Sequence, residues 1–222
     1  MADIHGNLEA LNAILEDIKK DNFQEIYCLG DIIGIGSSSK ECIDLLIENN
    51  VKSVLGDYEI YLLRENELGN LIDKEKREYI NCIKESLNEK EINYIKSLPL
   101  YYDINVQYDD SNLNKKYVLC HYLIADEKAI YPFEKTSLKD GSELWKKYNS
   151  NNTFYIVGHI HNDFDIFDVD GIVGDYIDDT GELVNIDVVE SAGILKNGTV
   201  SYLSLEIGKN IKIKKVVVNL NK

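Results

Sequence analysis

The sequence predicts an α/β layered fold with a strand-rich C-terminal part, and three observations predict it. Short apolar runs alternate with helical patterns up to residue 57, which is the arrangement of parallel strands joined by crossover helices. Residues 58 to 98 read as mostly helical. From residue 163 onward, apolar stretches are punctuated by glycines in the manner of strands and turns. The chain has 222 residues, 44% hydrophobic and 28% charged, a globular composition that excludes bulk disorder and is long enough to bury a sizeable core. It has no internal repeat, low-complexity tract or Pro/Gly linker, so residues 1–222 are expected to form a single domain.

Each element has its own signal. Leu8, Leu11, Ile14, Leu15 and Ile18 recur at helical spacing. Ile26 to Leu29 is a short apolar run closed by Gly30-Asp31, which predicts a strand. A helix follows over about Lys40 to Glu48, with Ile43, Leu46 and Ile47 on one face. Val51 to Leu55, closed by Gly56-Asp57, predicts a second strand. In the helical stretch that follows, Asn88 with Glu91 marks a helix start and Pro99 an end. Tyr117 to Cys120, ending at His121, and Phe154 to Val157, ending at Gly158-His159, predict two more strands. Further strands are expected around 164–169, 183–189, 200–207 and 211–218, separated by Gly171, Gly181, Gly198 and Gly208.

Lys plus Arg number 24 and Asp plus Glu 39, a net charge of −15. Such a field repels phosphate backbones and anionic lipid, which argues against general nucleic-acid or membrane binding. An anionic substrate requires bound cations that reverse the sign locally. No apolar run approaches the roughly 20 residues of a membrane span, and the N-terminus lacks the basic and apolar regions of a signal peptide. Cys28, Cys42, Cys82 and Cys120 are scattered without a Cys-x-x-Cys pair, so buried thiols in a reducing cytoplasm are expected.

The chemistry sits at the strand ends. Asp31, Asp57, His121 and His159 each follow the last apolar residue of a short strand, directly or after one glycine. In open α/β sheets the carboxyl ends of the strands form the ligand crevice. Asp3-Ile4-His5 and His159-Ile160-His161 add two i, i+2 pairs. Three carboxylates and all four histidines of the chain suit a pair of divalent transition ions such as Mn, Fe, Zn or Co. No thiolate joins the pattern, so a structural zinc site is not expected.

Asp3-Ile4-His5-Gly6-Asn7, Gly30-Asp31-Ile32-Ile33-Gly34, Gly56-Asp57-Tyr58-Glu59, His121 and Gly158-His159-Ile160-His161 occur in one order and at compatible spacings. Together they resemble the calcineurin-like metallophosphoesterases, in particular the small bacterial stand-alone branch, over about residues 3 to 161. The resemblance implies a four-layer αββα sandwich of two mixed sheets flanked by helices, and a two-metal site. Asp3, His5, Asp31 and His161 would hold the first metal. The second would take Asp31 as a bridge with Asp57, His121 and His159. Manganese is the expected ion, with iron, zinc, cobalt and nickel as alternatives. The implied reaction is in-line attack of a metal-bridging hydroxide on a small phosphomonoester or phosphodiester. Asp31, Tyr58 and His121 are the expected catalytic positions.

Three departures from the family pattern qualify that expectation. Asp57 stands where the family has Asn, and its extra charge predicts tighter metal binding but a less acidified water. Tyr58 replaces the family's His; with an ordinary pKa near about 10 it is a poor proton donor at neutral pH. Only Met1 and Ala2 precede Asp3, so the first core strand is missing from this chain, and six to ten further apolar residues (about one strand) are expected upstream. These departures support an alternative, a weakened or inactive member serving as a metal-binding or scaffold module.

Other features carry less. Asp163 to Glu190 holds ten carboxylates and no Lys or Arg. Ile166 and Ile177 occupy the first and last ligand positions of the calcium loop it resembles, so solvated edges and turns are expected. Lys209, Lys212, Lys214 and Lys215 read as the solvent side of an edge strand. Gly34-Ile35-Gly36-Ser37 is too short for a phosphate loop and is placed at the substrate mouth. Lys128, Tyr131 and Trp145 are candidates for shaping the substrate pocket. The sequence is silent on oligomeric state.

Overall fold

The computed structural model describes residues 1–107, 114–135, 153–165, 168–177, 183–187, 199–207 and 211–220. Helix α1 (Leu8–Ile18) starts behind Asn7, whose side chain accepts the Ala10 N–H, and it buries Ala10, Leu11, Ile14, Leu15 and Ile18. Strands β1 (Tyr27–Cys28) and β2 (Lys52–Ser53) pair in parallel and are joined by α2 (Ser39–Glu48), the predicted crossover. Along β1, the Leu29 N–H donates to the Met1 carbonyl (2.8 Å) and the Asp3 N–H to the Gly30 carbonyl (3.0 Å). The Met1 ammonium donates to the Tyr27 carbonyl at 2.9 Å.

The helical stretch resolves into α3 (Asp57–Arg64), a 3-10 turn at Gly69–Leu71, α4 (Lys74–Ser86) and α5 (Glu89–Ser97). Helix α5 starts at the expected Asn88–Glu91 capping box and closes before Pro99. Next comes a mixed sheet of β3 (Tyr101–Gln107), β4 (Asn114–Cys120) and β5 (Thr153–Val157), in that order, with β3–β4 antiparallel and β4–β5 parallel. Strand β3 has no counterpart in the sequence reading. Its signal is nonetheless present: Tyr102, Ile104 and Val106 alternate with Asp103, Asn105 and Gln107, although only Val106 is buried.

The C-terminal part is strand-rich, as expected. Strands β6 (Ile160–Asp165), β7 (Asp168–Ile177) and β8 (Leu183–Asp187) form an antiparallel sheet. Strands β9 (Thr199–Ile207) and β10 (Ile211–Asn219) form an antiparallel pair. The single strand expected at 164–169 is corrected: Asp165 pairs with Asp168 across a hairpin, and Gly171 lies inside β7 opposite His161 rather than between strands. Period-2 patterning shows which residues alternate, not where a ladder folds back. Among the described strands β10 pairs only with β9, the edge position expected of its lysines.

The principal core joins Leu11 and Leu15 of α1, Ile43 and Leu46 of α2, Ile60 of α3 and Val118 and Cys120 of β4. A satellite core packs Ala10, Ile14 and Ile18 on Val200 and Tyr202 of β9. The α/β class with packed helices is thus the one observed, with parallel and antiparallel pairing both present among the described strands. Cys28, Cys42 and Cys120 are buried, and burial pushes the first two thiols up to about 12; Cys82 is exposed on α4, a correction to the expectation of buried thiols. A cavity of about 780 Å³ lies beside Met1, Tyr27, Leu119, Ile156 and Tyr202, and no histidine lines it. Among the described residues, no helix is long and apolar enough to cross a membrane.

Candidate metal centre

The site is built by the backbone before the side chains. Asp3 (φ 52°), His5 (φ 46°), Asp31 (φ 48°) and His159 (φ 72°) all take left-handed conformations, each costing on the order of 1–3 kcal/mol in a non-glycine residue. Tertiary hydrogen bonds impose them. The His5 N–H donates to the Asp31 carbonyl (2.8 Å) and the Gly6 N–H to the Ile32 carbonyl (2.8 Å). The His159 N–H is shared by the two Asp3 carboxylate oxygens, at 3.2 and 3.1 Å. The turns swing these side chains into one crevice, Asp31 from the end of β1 and His159 from the end of β5.

Six of the eight expected residues bring described side chains together there. His5 Nε2 is 3.7 Å and His121 Nε2 3.5 Å from Asp31 Oδ2. His121 Nε2 is also 3.9 Å from Asp57 Oδ1 and 3.2 Å from His159 Nδ1, which is 3.4 Å from Asp57 Oδ2. Ligand atoms of Asp57, His121 and His159 lie within 4.8 Å of one another, as do those of Asp3, Asp31 and His121. His121 Nδ1 donates to the Leu29 carbonyl at 2.9 Å, which leaves Nε2 facing the carboxylates as a ligand nitrogen. Tyr58, the seventh, packs edge-on to His5 with ring centroids 5.1 Å apart, and its backbone N–H donates to Asp31 Oδ1 at 2.8 Å. The eighth, His161, stands on β6 opposite Gly171; its side chain lies outside the described residues, as do Trp145 and the acidic side chains from Asp163 to Glu190.

Sequence reasoning missed Glu59. Its carboxylate is fully buried and accepts four backbone N–H groups: Ile32 and Ile33 on Oε1 (both 3.0 Å), Asp31 and Gly56 on Oε2 (both 2.9 Å). It therefore clamps the Asp31 turn to the start of α3. A Cβ on Gly56 would collide with the Asp31 amide and carboxylate, so only glycine lets the two segments meet. The usable signal was Glu59 at the third helical position behind Gly56, half of a capping box. Gly34 is required on the other flank: with φ +140°, its Cβ would run into the His5 ring.

A tyrosine shell surrounds the crevice. The Tyr131 hydroxyl donates to Asp57 Oδ1 at 3.0 Å and the Tyr61 hydroxyl to Asp57 Oδ2 at 3.3 Å. Tyr131 thus reaches the site, whereas Lys128 is exposed in a turn. Ile35 is 58% exposed, while the half-buried Lys76 rests over the Tyr61 and Tyr58 rings, at 4.7 and 5.6 Å from their centroids. Burial, with Asp31 second, pushes the Tyr58 hydroxyl up to about 12, so it stays protonated at neutral pH.

Electrostatically the centre is a cluster of anions in need of cations. Burial pushes the Asp31 carboxyl well above the carboxylate range; nearby Asp57, Glu59 and Asp3 add to this, against the pull of His121. Burial opposes charge on His121, but Asp31, Asp3 and Asp57 outweigh it and raise its pKa to about 9. A raised histidine pKa contributes stability that is complete below the unfolded value near about 6.5 and is lost as pH rises through about 9. Asp31 acts in the same direction. The melting temperature of the metal-free protein is therefore expected to fall between pH 6.5 and 9, and divalent metal to flatten that slope by replacing the proton. Calorimetry in buffers of different ionisation enthalpy at pH 7.5 should register proton release on metal uptake; zero release would contradict the assigned charge state.

The donor set, carboxylate oxygens and imidazole nitrogens without thiolate, fits borderline-hard divalent ions, and their charge would relieve the crowding of Asp3, Asp31 and Asp57. Fold and site together define an α/β protein with a candidate divalent-metal centre at the carboxyl ends of its strands. The chain belongs to the calcineurin-like phosphoesterases, whose family model matches residues 1–174. It is 35% identical over 121 residues to an uncharacterized protein of Methanocaldococcus jannaschii, covering 54% of this chain and 47% of that one. It is 33% identical over 66 residues to a symmetrical bis(5'-nucleosyl)-tetraphosphatase of Haemophilus ducreyi, covering 28% of this chain and 24% of that one. The matches thus span about half and a quarter of these relatives' lengths. The fold is similar to that of a metallophosphoesterase from Sphaerobacter thermophilus (TM-score 0.56, 19% identity, 99% of this chain, 87% of that one). It is also similar to that of a hypothetical protein from Pyrococcus horikoshii OT3 (TM-score 0.58, 18% identity, 100% of this chain, 87% of that one).

Proposed function

We propose that this chain is a metal-dependent phosphoesterase that hydrolyses a small phosphomonoester or phosphodiester. The observation that carries the reading is the convergence of Asp3, His5, Asp31, Asp57, His121 and His159 from separate segments into one crevice. Asp3, His5, Asp31 and His161 would hold one metal, and Asp31, Asp57, His121 and His159 a second, with manganese the first ion to test. When bound, such ions supply positive charge to the phosphoryl oxygens and a nucleophile at neutral pH. The chain's own residues then position the reaction. Asp31 stands between the two ligand groups, fixed by the Tyr58 N–H and by Glu59's hold on its backbone. His121 presents Nε2 because Leu29 holds its Nδ1–H. The protonated Tyr58 hydroxyl donates a hydrogen bond to substrate rather than a proton. The acidic composition argues against nucleic-acid and anionic-membrane partners.

A second reading, a metal-binding module without turnover, is favoured by the same Tyr58, because burial pushes its hydroxyl up in the metal-free crevice, away from the neutral range where a general acid works best. The deciding experiment is hydrolysis of an aryl phosphodiester and an aryl phosphomonoester by metal-stripped protein, before and after Mn²⁺, with His159→Ala as control. Manganese should restore turnover, and His159→Ala should lose at least about 100-fold, the low end for a positioned catalytic group. A folded, metal-loaded protein inert toward both esters, and toward a bis-nucleoside tetraphosphate, would establish the module instead.

A further inference from the structure

We infer that Tyr61 and Tyr131 are positioning residues for Asp57, holding its carboxylate toward His121 and His159 and drawing off part of its charge. The inference rests on the two-metal reading above. Each carboxylate oxygen of Asp57 receives one phenol hydroxyl: Oδ1 from Tyr131 at 3.0 Å, Oδ2 from Tyr61 at 3.3 Å. Each oxygen also faces one imidazole, His121 at 3.9 Å and His159 at 3.4 Å. Only a carboxylate offers two acceptor oxygens to two phenols; an Asn at this position would offer one.

The donors are held as a unit. The Tyr61 and Tyr131 rings stack at 9° with centroids 6.2 Å apart. Tyr131 meets Phe133 edge-on, and buried Phe133 meets His121 edge-on. Arg64, on the same helix as Asp57 and Tyr61, donates to the Ala129 and Ile130 carbonyls at 2.6 and 2.9 Å. The loop carrying Tyr131 is thereby tied to the helix carrying Asp57, although 74 residues separate the two partners. Hydrogen bonds from two O–H groups lower the electron density that Asp57 can give a cation, so the carboxylate acts more like a neutral oxygen ligand. That offsets the loss of Lewis acidity its extra charge would otherwise bring.

The test is calorimetric titration of metal-stripped wild type, Tyr61→Phe, Tyr131→Phe and the double variant with Mn²⁺, alongside metal-free melting temperatures. Wild type should take up two ions. Tyr131→Phe should weaken one of them about tenfold, at the low end for a residue supporting a metal ligand. Tyr61→Phe, with the longer contact, should weaken it less, and the other ion should change by less than twofold. In an Asp57→Asn background, which has one acceptor oxygen in place of two, at least one tyrosine should lose its effect. Affinities within twofold of wild type in the double variant overturn the proposal, even if the melting temperature falls, because that marks a packing role. So do undiminished losses from both tyrosines in the Asp57→Asn background. Wild type that takes up no metal overturns the two-metal reading, and this inference with it.

Discussion

Replacing Asp31 by Asn is expected to abolish metal-dependent hydrolysis and, above pH 9, to stabilise the metal-free fold. In the proposed two-metal site Asp31 would bridge the ions; its Oδ2 faces both His5 and His121, at 3.7 and 3.5 Å. Removing its charge takes away several kcal/mol of metal-centred stabilisation, on the order of 10³-fold in rate. Elemental analysis should find at most one ion retained. The stability effect has the opposite sign because the buried Asp31 carboxylate is disfavoured by burial and by Asp57, Glu59 and Asp3. An amide oxygen can still accept the Tyr58 N–H. Below the His121 transition near pH 9 the gain shrinks, since a neutral amide in place of the carboxylate no longer pairs with the imidazolium. Two retained ions and undiminished turnover in this variant would remove Asp31 from the bridging role.

Glu59→Gln is expected to cost more stability than any other single conservative change at the site. The amide keeps one acceptor oxygen, so its NH₂ would face two of the four N–H groups now bound by the carboxylate. Each stranded buried N–H costs roughly 1–3 kcal/mol, so a loss of about 4 kcal/mol, or about 8–16 °C in melting temperature, is expected for a chain of this size. The same variant should release metal, because the left-handed Asp31 turn is held by those bonds. A melting temperature within about 2 °C of wild type, on that same scale, would show that the clamp contributes little.

Much of the fold was legible because its signals are local. Helices α1 and α2 follow from apolar spacing within ten or so residues, and α5 from a capping box four residues long. The strand-end placement of Asp31, Asp57, His121 and His159 was visible as an apolar run followed by a ligand-type residue. Strand β3 was legible too, in the alternation of Tyr102, Ile104 and Val106 with Asp103, Asn105 and Gln107, but the sequence reading passed over it. The β6–β7 turn was hidden because both arms carry the same mix of Asp and apolar residues.

The sequence by itself determined which residue types are available for chemistry, which short strands carry them to one edge, and that the chain needs cations to meet an anionic substrate. Tertiary structure alone decided how they meet. Glu59 reaches amides up to 28 residues away, His121 is set by a carbonyl 92 residues away, and Tyr131 finds Asp57 across 74. Such bonds leave no periodicity in the chain, because periodicity records only which face of a local element is buried. Their partners are chosen when separate elements pack. The left-handed turns at Asp3, His5, Asp31 and His159 depend on that packing as well, since their cost is met only by hydrogen bonds from neighbouring segments.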